Sequence, residues 1–446
     1  MQNVLLGGDD LEAYKLWKKL FSNKHLREHY AEKVKQKTSA GLDKISPKKF
    51  EEELEENIDI IIRKANNGTY KFTRYKQLLF NKGPNKFPRV VSIPTNRDKL
   101  TLSVLNELIC GVYEESCKTA LPQLIIDGIV QDIPYYNRYI KIDIRCFYSS
   151  IDHKLLVCTL KKKIRKKEIL DLISKAIKTP TVSGLGKAIR EAKENEKGLP
   201  EGLPISNSLA NIFMEDIDRK YKSMNGIAYY RYVDDILILL NDDNFDMVYK
   251  LIKKDISKLD LKTNEKEDAG LISKGFLYLG YKINDRVVSV REESIYKIEH
   301  AIEDIVCKAT ENNLEYIQWR LNLRITGFIL DGKKYGWMFF YSQITDESLL
   351  FRIDNTVNKI LNRYNIADKI KVKRFVRTYK EITKALHKTK YIPNIDELTI
   401  EDKRYILSDI YRLDLSEKDD VGIEIMFRNI MKKEIRNIEK DIQNIS

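Results

Sequence analysis

Tyr230-Arg-Tyr-Val-Asp-Asp-Ile-Leu-Ile-Leu239 holds two adjacent aspartates, Asp234 and Asp235, between runs of aromatic and β-branched or aliphatic residues. Such runs favour strands, and acidic residues are disfavoured in the middle of a strand. We therefore expect a hairpin over Ile227 to Leu240 with both aspartates at its tip. Taken alone, an Asp-Asp pair is more typical of a turn selected for its backbone geometry than of a catalytic site.

A third aspartate, Asp143, ends the short apolar strand predicted from Tyr139 to Ile144. Carboxylates that converge from neighbouring strand ends are costly unless cations neutralise them. Two Mg²⁺ ions, for which Mn²⁺ can substitute, would neutralise a cluster of Asp143, Asp234 and Asp235. A site with two metal ions suits in-line phosphoryl transfer, because the cations stabilise the attacking and the leaving oxygens.

The segments around these aspartates follow a fixed order along the chain. They are Asp143 to Asp152, Gly198-Leu-Pro-Glu-Gly-Leu-Pro-Ile-Ser-Asn-Ser-Leu-Ala-Asn211, Tyr232-Val-Asp-Asp235, Leu261-Lys-Thr-Asn264 with Lys266, and Phe276-Leu-Tyr-Leu-Gly-Tyr281. In this order they resemble the A, B, C, D and E palm motifs of reverse transcriptases. Gly41-Leu-Asp43 and Arg89 to Asp98 resemble the finger motifs of the same family, so that the resemblance runs from about Thr38 to Tyr281.

The resemblance implies an α+β fold of the right-hand polymerase type. Fingers and palm, with an antiparallel palm sheet, are expected over residues 1–290, and a mostly helical thumb and C-terminal region over residues 291–446. A β-rich region followed by a chain of almost wholly helical pattern agrees with that division.

The resemblance also implies roles for single residues. Metal binding falls to Asp143, Asp234, Asp235 and the main-chain carbonyl of Ile144, and Lys266 matches the basic residue proposed to protonate pyrophosphate. The alternative is that Lys266 is one of the many surface lysines that have no catalytic role. Contacts with the incoming nucleotide are implied for Lys82, Arg89, Tyr148, Gly202 and Ser206.

Tyr148 stands where the family places the bulky aromatic residue that closes against the 2′ position of the sugar. A gate of this kind would select deoxynucleotides. The alternative is an aromatic residue of the core. Lys82 and Arg89 stand where fingers supply positive charge to the triphosphate, and Gly202 would let the backbone approach the nascent base pair without a Cβ.

Two positions depart from the usual pattern. Glu201 stands where most members have Gln, and Asn207 follows Ser206 where most have Pro. The Ser-Asn pair resembles the abortive-infection and defence-associated bacterial reverse transcriptases. A retron-type enzyme is the second choice, because Arg324-Ile-Thr-Gly-Phe328 is similar to a retron motif.

The net charge of +13 favours a polyanionic partner, although Lys-rich enzymes without such a partner are common. The segment Lys371 to Lys390 is expected to form a helix that docks by an apolar stripe and presents cations to nucleic acid. Those cations are Lys373, Arg377, Lys380, Lys384 and Lys388. A second basic run extends from Lys161 to Lys167. It is equally consistent with a contact to the template and with a solvated helix end.

The scattered cysteines and the lack of a long apolar run lead us to expect a reduced, cytoplasmic protein without a membrane anchor. We expect RNA-directed addition of dNTPs to a 3′-hydroxyl, with a structured noncoding RNA as template, DNA as product and a role in antiphage defence. The alternatives are template-independent or protein-primed synthesis on the same palm, and a non-enzymatic RNA-binding scaffold. The oligomeric state stays open.

Overall fold

The chain folds into two compact units that interleave along the sequence. In the computed structural model, the described residues are 8–35, 40–81, 87–184, 186, 191–264, 268–384 and 390–442. The first unit takes residues 1–120 and 139–269, and the second takes residues 121–138 and 270–446. The boundary expected near residue 290 separates fingers and palm from the thumb, whereas these two units are defined by packing. The expected boundary therefore stays a prediction.

The strands are short. They are β1 (Tyr75–Phe80), β2 (Arg89–Ile93), β3 (Arg138–Asp143), β4 (Thr181–Val182), β5 (Ile227–Tyr232), β6 (Asp235–Leu240), β7 (Asp268–Leu271), β8 (Phe276–Tyr278), β9 (Tyr281–Ile283), β10 (Val288–Val290), β11 (Phe328–Leu330) and β12 (Lys333–Tyr335).

Helices make up most of the rest of the described chain. In the first unit they are Gly8–Leu20, Asn23–His29, Pro47–Glu52, Leu54–Asn66, Asn96–Val112, Glu114–Cys117, Phe147–Ser150, His153–Leu160, Lys167–Lys178, Ser206–Phe213, Glu215–Lys222 and Asp242–Lys258. In the second unit they are Pro122–Asp132, Glu292–Val306, Leu314–Thr326, Trp337–Phe340, Glu347–Arg363, Phe375–Thr383, Ile400–Tyr405 and Asp420–Ile442. None of these described helices combines the length and the apolar composition needed to cross a membrane. The predicted α+β class is confirmed, with antiparallel sheets and a helical C-terminal region.

The palm sheet has the strand order β5-β6-β3-β7. Its hairpin pairs Tyr232 with Asp235, so that only Val233 and Asp234 form the turn. Val233 takes a positive φ of 58°, as such tight turns require. The predicted hairpin is present, but Asp235 is the first residue of β6 rather than part of the tip. Every residue of β6 is buried, because the strand lies between β5 and β3.

The loop that leads into the helix Ser206–Phe213 is fastened at both ends within the first unit. Gly198 and Leu199 donate backbone hydrogen bonds to Ile151 and Tyr148, each at 2.8 Å. Further along, the Ser92 N–H on β2 donates to the Glu201 carbonyl at 2.7 Å. The segment Gly198 to Gly202 therefore joins β2 to the residues that follow β3.

Gly202 is required by packing as well as by conformation. Its φ of 95° lies in the region that favours glycine, and an added Cβ would lie 2.5 Å from Val91 Cγ1. The close neighbour of Gly202 is therefore the strand β2. The sequence analysis explained a glycine at this position by close approach of the backbone to a nascent base pair. Such an approach would be a second requirement for glycine, in addition to this packing.

The second unit carries two small antiparallel sheets. Phe276 to Val290 forms three strands in the order β10-β9-β8, and β11 pairs with β12. Its helices pack around an apolar cluster that includes Phe328, Phe427 and Met431. A buried ion pair, Arg324 Nε to Asp441 at 2.7 Å, joins the helix Leu314–Thr326 to the last helix.

Replacing Gly202 by Ala tests the packing against β2. We expect the free energy of unfolding of Gly202→Ala to fall by about 1–3 kcal/mol more than that of Gly68→Ala, measured by chemical denaturation. Gly68 is the matched control, because its φ of 69° is also positive while no atom lies within 4 Å of an added Cβ. The excess loss should shrink in a Val91→Ala background. Equal losses in Gly202→Ala and Gly68→Ala would contradict the proposed collision.

Candidate active site

Asp143 and Asp234 meet where β3 ends beside the hairpin turn. The Ile144 N–H, directly after Asp143, donates to the Asp234 carbonyl at 3.2 Å. Both aspartates are half-buried, so their carboxylates can reach solvent or a ligand. The structure thus brings together the end of β3 and the hairpin turn, as expected from the sequence.

Asn264 fixes Asp143 from the other side. Its backbone N–H donates to the Asp143 carbonyl at 2.8 Å, and its side-chain amide donates to Asp143 Oδ2 at 2.5 Å. Ile144 also forms an isolated antiparallel bridge with Thr263. In the segment that resembles motif D, the sequence analysis assigned a functional role to Lys266. Within the described residues, the contact that this segment makes with the site comes from the amide of Asn264. Lys266 itself lies outside the described residues.

The hairpin turn is held by Arg231. Its guanidinium donates to the Val233 carbonyl at 2.8 Å and to Asn211 Oδ1 at 3.2 Å, and it forms an ion pair with Asp218. The Arg231 side chain is only 8% exposed, so these bonds are shielded from water. Sequence analysis missed Arg231, Asn211 and Asp218, although an Arg next to an Asp-Asp turn is a visible cue.

Asp235 differs from the other two aspartates. It is 5% exposed, and burial, together with the charges of Asp234 and Asp143, raises the pKa of its carboxyl to about 7 against the opposing effect of Lys141. In the described part of the chain, the three carboxylates do not form a group whose oxygens all lie within 4.8 Å of one another. Asp143 and Asp234 are therefore the accessible pair, and Asp235 lies below them in the core.

Tyr148 lies next to this pair. Burial raises the pKa of its hydroxyl to about 12, with further contributions from the nearby carboxylates of Asp234 and Glu201. The hydroxyl donates to Asn207 Oδ1 at 3.2 Å. Asn207, the residue that departs from the family's usual Pro, thus orients the candidate gate residue. Tyr148 is half-buried, which leaves part of its ring available to a ligand.

Arg89 forms an ion pair with Glu201, the other residue that departs from the family pattern. The Arg89 side chain is 51% exposed and the Glu201 side chain is 29% exposed. An exposed ion pair of this kind contributes little to stability, on the order of 0–1 kcal/mol. The pair is therefore easily opened by a stronger anion.

Ser206 contributes to the shape of the loop. It is buried, and its hydroxyl donates to the Pro200 carbonyl at 2.6 Å. A contact between Ser206 and a nucleotide stays a prediction, as it does for Gly202. Lys82 lies outside the described residues.

The expected basic helix is shorter than predicted. It begins at Phe375 and ends at Thr383, so Lys373 precedes it. The Lys373 ammonium is half-buried and donates to the Tyr391 carbonyl at 2.5 Å, and burial lowers its pKa. Arg377, Lys380 and Lys384 are exposed, as predicted, and Lys388 lies outside the described residues. The placement of Lys373 on an exposed helical face was wrong, because the helix starts later.

Comparison with known proteins places a family over the middle of the chain. The sequence model of the family described as "Reverse transcriptase (RNA-dependent DNA polymerase)" matches residues 80–283. The group II intron-encoded protein LtrA of Lactococcus lactis subsp. cremoris is 26% identical over 178 residues, which are 37% of this chain and 28% of LtrA. An uncharacterised 91 kDa protein in the cob intron of Schizosaccharomyces pombe is 25% identical over 187 residues, which are 39% of this chain and 22% of that protein.

A solved structure of telomerase from Candida albicans, in complex with a fragment of telomeric RNA, is similar at a TM-score of 0.43 and 12% identity, over 85% of this chain and 67% of that chain. The chain spans about a quarter of the length of the curated relatives that it matches. The matched segment includes Asp143, Tyr148, Glu201 and the Asp234-Asp235 pair, whose geometry is described above. Residues 80–283 accordingly match the model of the reverse transcriptase family, and part of the chain is similar in sequence to group II intron-encoded proteins.

Proposed function

We propose that this protein is an RNA-directed DNA polymerase that adds dNTPs to a 3′-hydroxyl at the site formed by Asp143 and Asp234. The observation that carries the proposal is the backbone hydrogen bond from Ile144, the residue after Asp143, to Asp234 at the end of β3, with the charge of Asp234 acting on the nearby Tyr148. Both aspartates and the aromatic residue lie in the segment that matches the reverse transcriptase family model.

The donor atoms at this site fit Mg²⁺. Asp143 and Asp234 offer accessible carboxylate oxygens, and Ile144 adds a main-chain carbonyl, which are the hard ligands that Mg²⁺ prefers. Burial raises the pKa of the Asp235 carboxyl, and the charges of Asp234 and Asp143 raise it further, so a cation bound by those two carboxylates would relieve the second part of this effect. Bound at these ligands, Mg²⁺ would supply the positive charge that stabilises phosphoryl transfer, and Mn²⁺ would be a substitute. The ligand set suits two ions, as proposed from the sequence.

The chain's own residues orient the reactants. Asn264 holds the Asp143 carboxylate and Arg231 holds the turn that carries Asp234, so neither aspartate needs to reorganise when a substrate binds. Arg89 is an exposed cation that can bind the triphosphate once it leaves Glu201. Lys82 and Lys266 are proposed to add positive charge to the same substrate.

The second unit offers a surface for a nucleic acid backbone. Arg377, Lys380 and Lys384 are exposed on or directly after the helix Phe375–Thr383, whose apolar face is buried. Lysines and arginines arranged in this way suit contacts with phosphates, which position a duplex without reading its sequence. We assign fingers and palm to residues 1–290, and the thumb and C-terminal region to residues 291–446. Within the thumb we keep Arg377, Lys380, Lys384 and Lys388 as template contacts, with Lys373 bracing them through Tyr391.

The finer role that we propose is bacterial antiphage defence with a structured noncoding RNA as template. Its support is the Ser206-Asn207 pair, which resembles the same segment of the defence-associated bacterial reverse transcriptases. Template-independent synthesis, synthesis primed by a protein hydroxyl and a retron-type enzyme are the alternatives on the same palm. The defence role predicts that phage protection depends on the aspartates that DNA synthesis needs.

The carboxylates provide the main test of this function. Asp143→Asn and Asp234→Asn should each lower the rate of primer extension on an RNA template by about 10³-fold or more, because each removes a charge that supports the metal. Asp243→Asn, an exposed residue shortly after the hairpin, is the matched control and should extend primers normally. Near-normal extension by either site variant would refute the assignment. Homopolymer synthesis by the unmodified protein without RNA would instead favour the template-independent alternative.

Tyr148 is the test of sugar selection. Tyr148→Ala should accept rNTPs, lowering the ratio of kcat/KM for dNTP over rNTP by at least about tenfold, because the steric obstacle to a 2′-hydroxyl is gone. Tyr148→Phe keeps the ring and loses only the hydrogen bond to Asn207, so it should retain the selectivity. An unchanged ratio in Tyr148→Ala would leave Tyr148 as a residue of the core.

Glu201 is the test of the triphosphate contact. If Arg89 binds the triphosphate, Glu201 competes for it, and Glu201→Gln should lower the KM for dNTP by about two- to fivefold with little change in kcat. Arg89→Gln should raise the same KM, and the double variant should resemble Arg89→Gln. A rise in KM in Glu201→Gln would mean that Glu201 orients Arg89 instead of competing with the nucleotide.

A further inference from the structure

A cluster of two imidazoles and a carboxylate lies in the first unit, away from the aspartates of the palm. His25 and His29 stand one turn apart along the helix Asn23–His29, and Glu107 projects from the helix Asn96–Val112. Their ligand atoms all lie within 4.8 Å of one another, and in the described part of the chain this is the group of three that meets that criterion.

The distances fit a tetrahedral metal site. Glu107 Oε2 lies 3.4 Å from His25 Nε2 and 2.8 Å from His29 Nδ1. Bonds of about 2.0–2.1 Å in tetrahedral geometry separate neighbouring ligand atoms by roughly 3.3 Å. A small adjustment of side chains would therefore place a cation between these atoms, with the fourth position left to water.

The contacts of the two imidazole rings are those expected of metal ligands. His25 Nε2 is a buried nitrogen that makes no hydrogen bond of good geometry. Its contact with Glu107 Oε2, 3.4 Å away, is therefore a weak one, and a metal between the two atoms would satisfy the nitrogen better. The second ring nitrogen of His29, Nε2, lies 2.7 Å from Ser103 Oγ, which is the outer contact that commonly fixes the orientation of a metal-binding imidazole.

One nearby charge opposes a cation. Lys33 Nζ lies 3.5 Å from Glu107 Oε2, and the Lys33 side chain is 54% exposed. Because the ammonium is on a flexible, solvent-accessible stem, it can turn into water when another cation takes the carboxylate. Lys33 therefore lowers the affinity expected of the site without blocking it.

We propose that His25, His29 and Glu107 bind one Zn²⁺ ion, which clips the N-terminal helices to the helix Asn96–Val112. Imidazole ligands favour Zn²⁺ over Mg²⁺, whereas the oxygen ligands of the palm favour Mg²⁺, so the two sites select different metals. The helix Asn96–Val112 begins directly after β2, the strand that carries Arg89. The clip would thus brace the element on which the candidate triphosphate contact is built. This proposal does not depend on polymerase activity.

The test is metal binding by the full chain after treatment with a chelator. An Asp143→Asn/Asp234→Asn background removes binding at the palm, and Co²⁺ serves as the probe because tetrahedral Co²⁺ absorbs visible light strongly. We expect one equivalent of Co²⁺ with tetrahedral absorption, its displacement by Zn²⁺, and a higher unfolding temperature with Zn²⁺ than without it.

Two ligand variants and one control complete the experiment. His25→Gln and Glu107→Gln should weaken binding by at least about tenfold and abolish the tetrahedral spectrum. His300→Gln should bind normally, since His300 forms an exposed pair with Asp304 elsewhere in the chain. Far-ultraviolet circular dichroism of the metal-free variants establishes that they are folded, and the partly exposed His25 is chosen because its replacement disturbs the core least. No tetrahedral spectrum in the starting protein, or full binding by both ligand variants, would overturn the proposal.

Discussion

The burial of Asp235 beside the charges of Asp234 and Asp143 is the constraint on which the arrangement around the palm depends. A carboxylate that is 5% exposed raises the free energy of the folded chain when it is ionised, and the raised pKa of Asp235 reflects first this burial and then the charges of Asp234 and Asp143. The surrounding contacts compensate locally. Asn264 donates to Asp143, Arg231 fixes the turn of Asp234, and a fully buried β6 supplies apolar packing beneath the charges. The unfavourable free energy of the buried and clustered charges is thus offset by these hydrogen bonds and by apolar packing.

Those neighbours explain why the site is preorganised. Arg231 reaches Asp218 and Asn211, which belong to two successive helices, so the hairpin turn is fixed to elements beyond its own strands. A shielded guanidinium with several partners cannot move without leaving buried polar groups unpaired. These contacts hold the turn that carries Asp234 in place before a ligand binds, which is the condition for the electrostatic stabilisation proposed above.

The sequence pattern predicted the local elements and the fold class, because hydrophobic periodicity and the order of the motifs specify them. The hairpin at Asp234, the strand before Asp143 and the α+β class were recoverable, because alternating apolar runs and motif order report them directly. Contacts between distant segments were not recoverable. Asn264 and Arg231 were missed because their partners are set by tertiary packing, and Lys373 was placed on a helix that starts only at Phe375. Asp235 was expected at a turn, yet the two-residue turn puts it in the strand.

The segment Gly198 to Gly202 has a consequence for how selectivity can change. One end holds the backbone of Tyr148, and the other end holds β2 through Ser92 while carrying the partner of Arg89. If Tyr148 and Arg89 act as proposed, discrimination of the sugar and recognition of the triphosphate are mechanically linked through these five residues. A substitution that relaxes this segment would then alter both properties at once, so that a change in one nucleotide preference would carry a correlated change in the other.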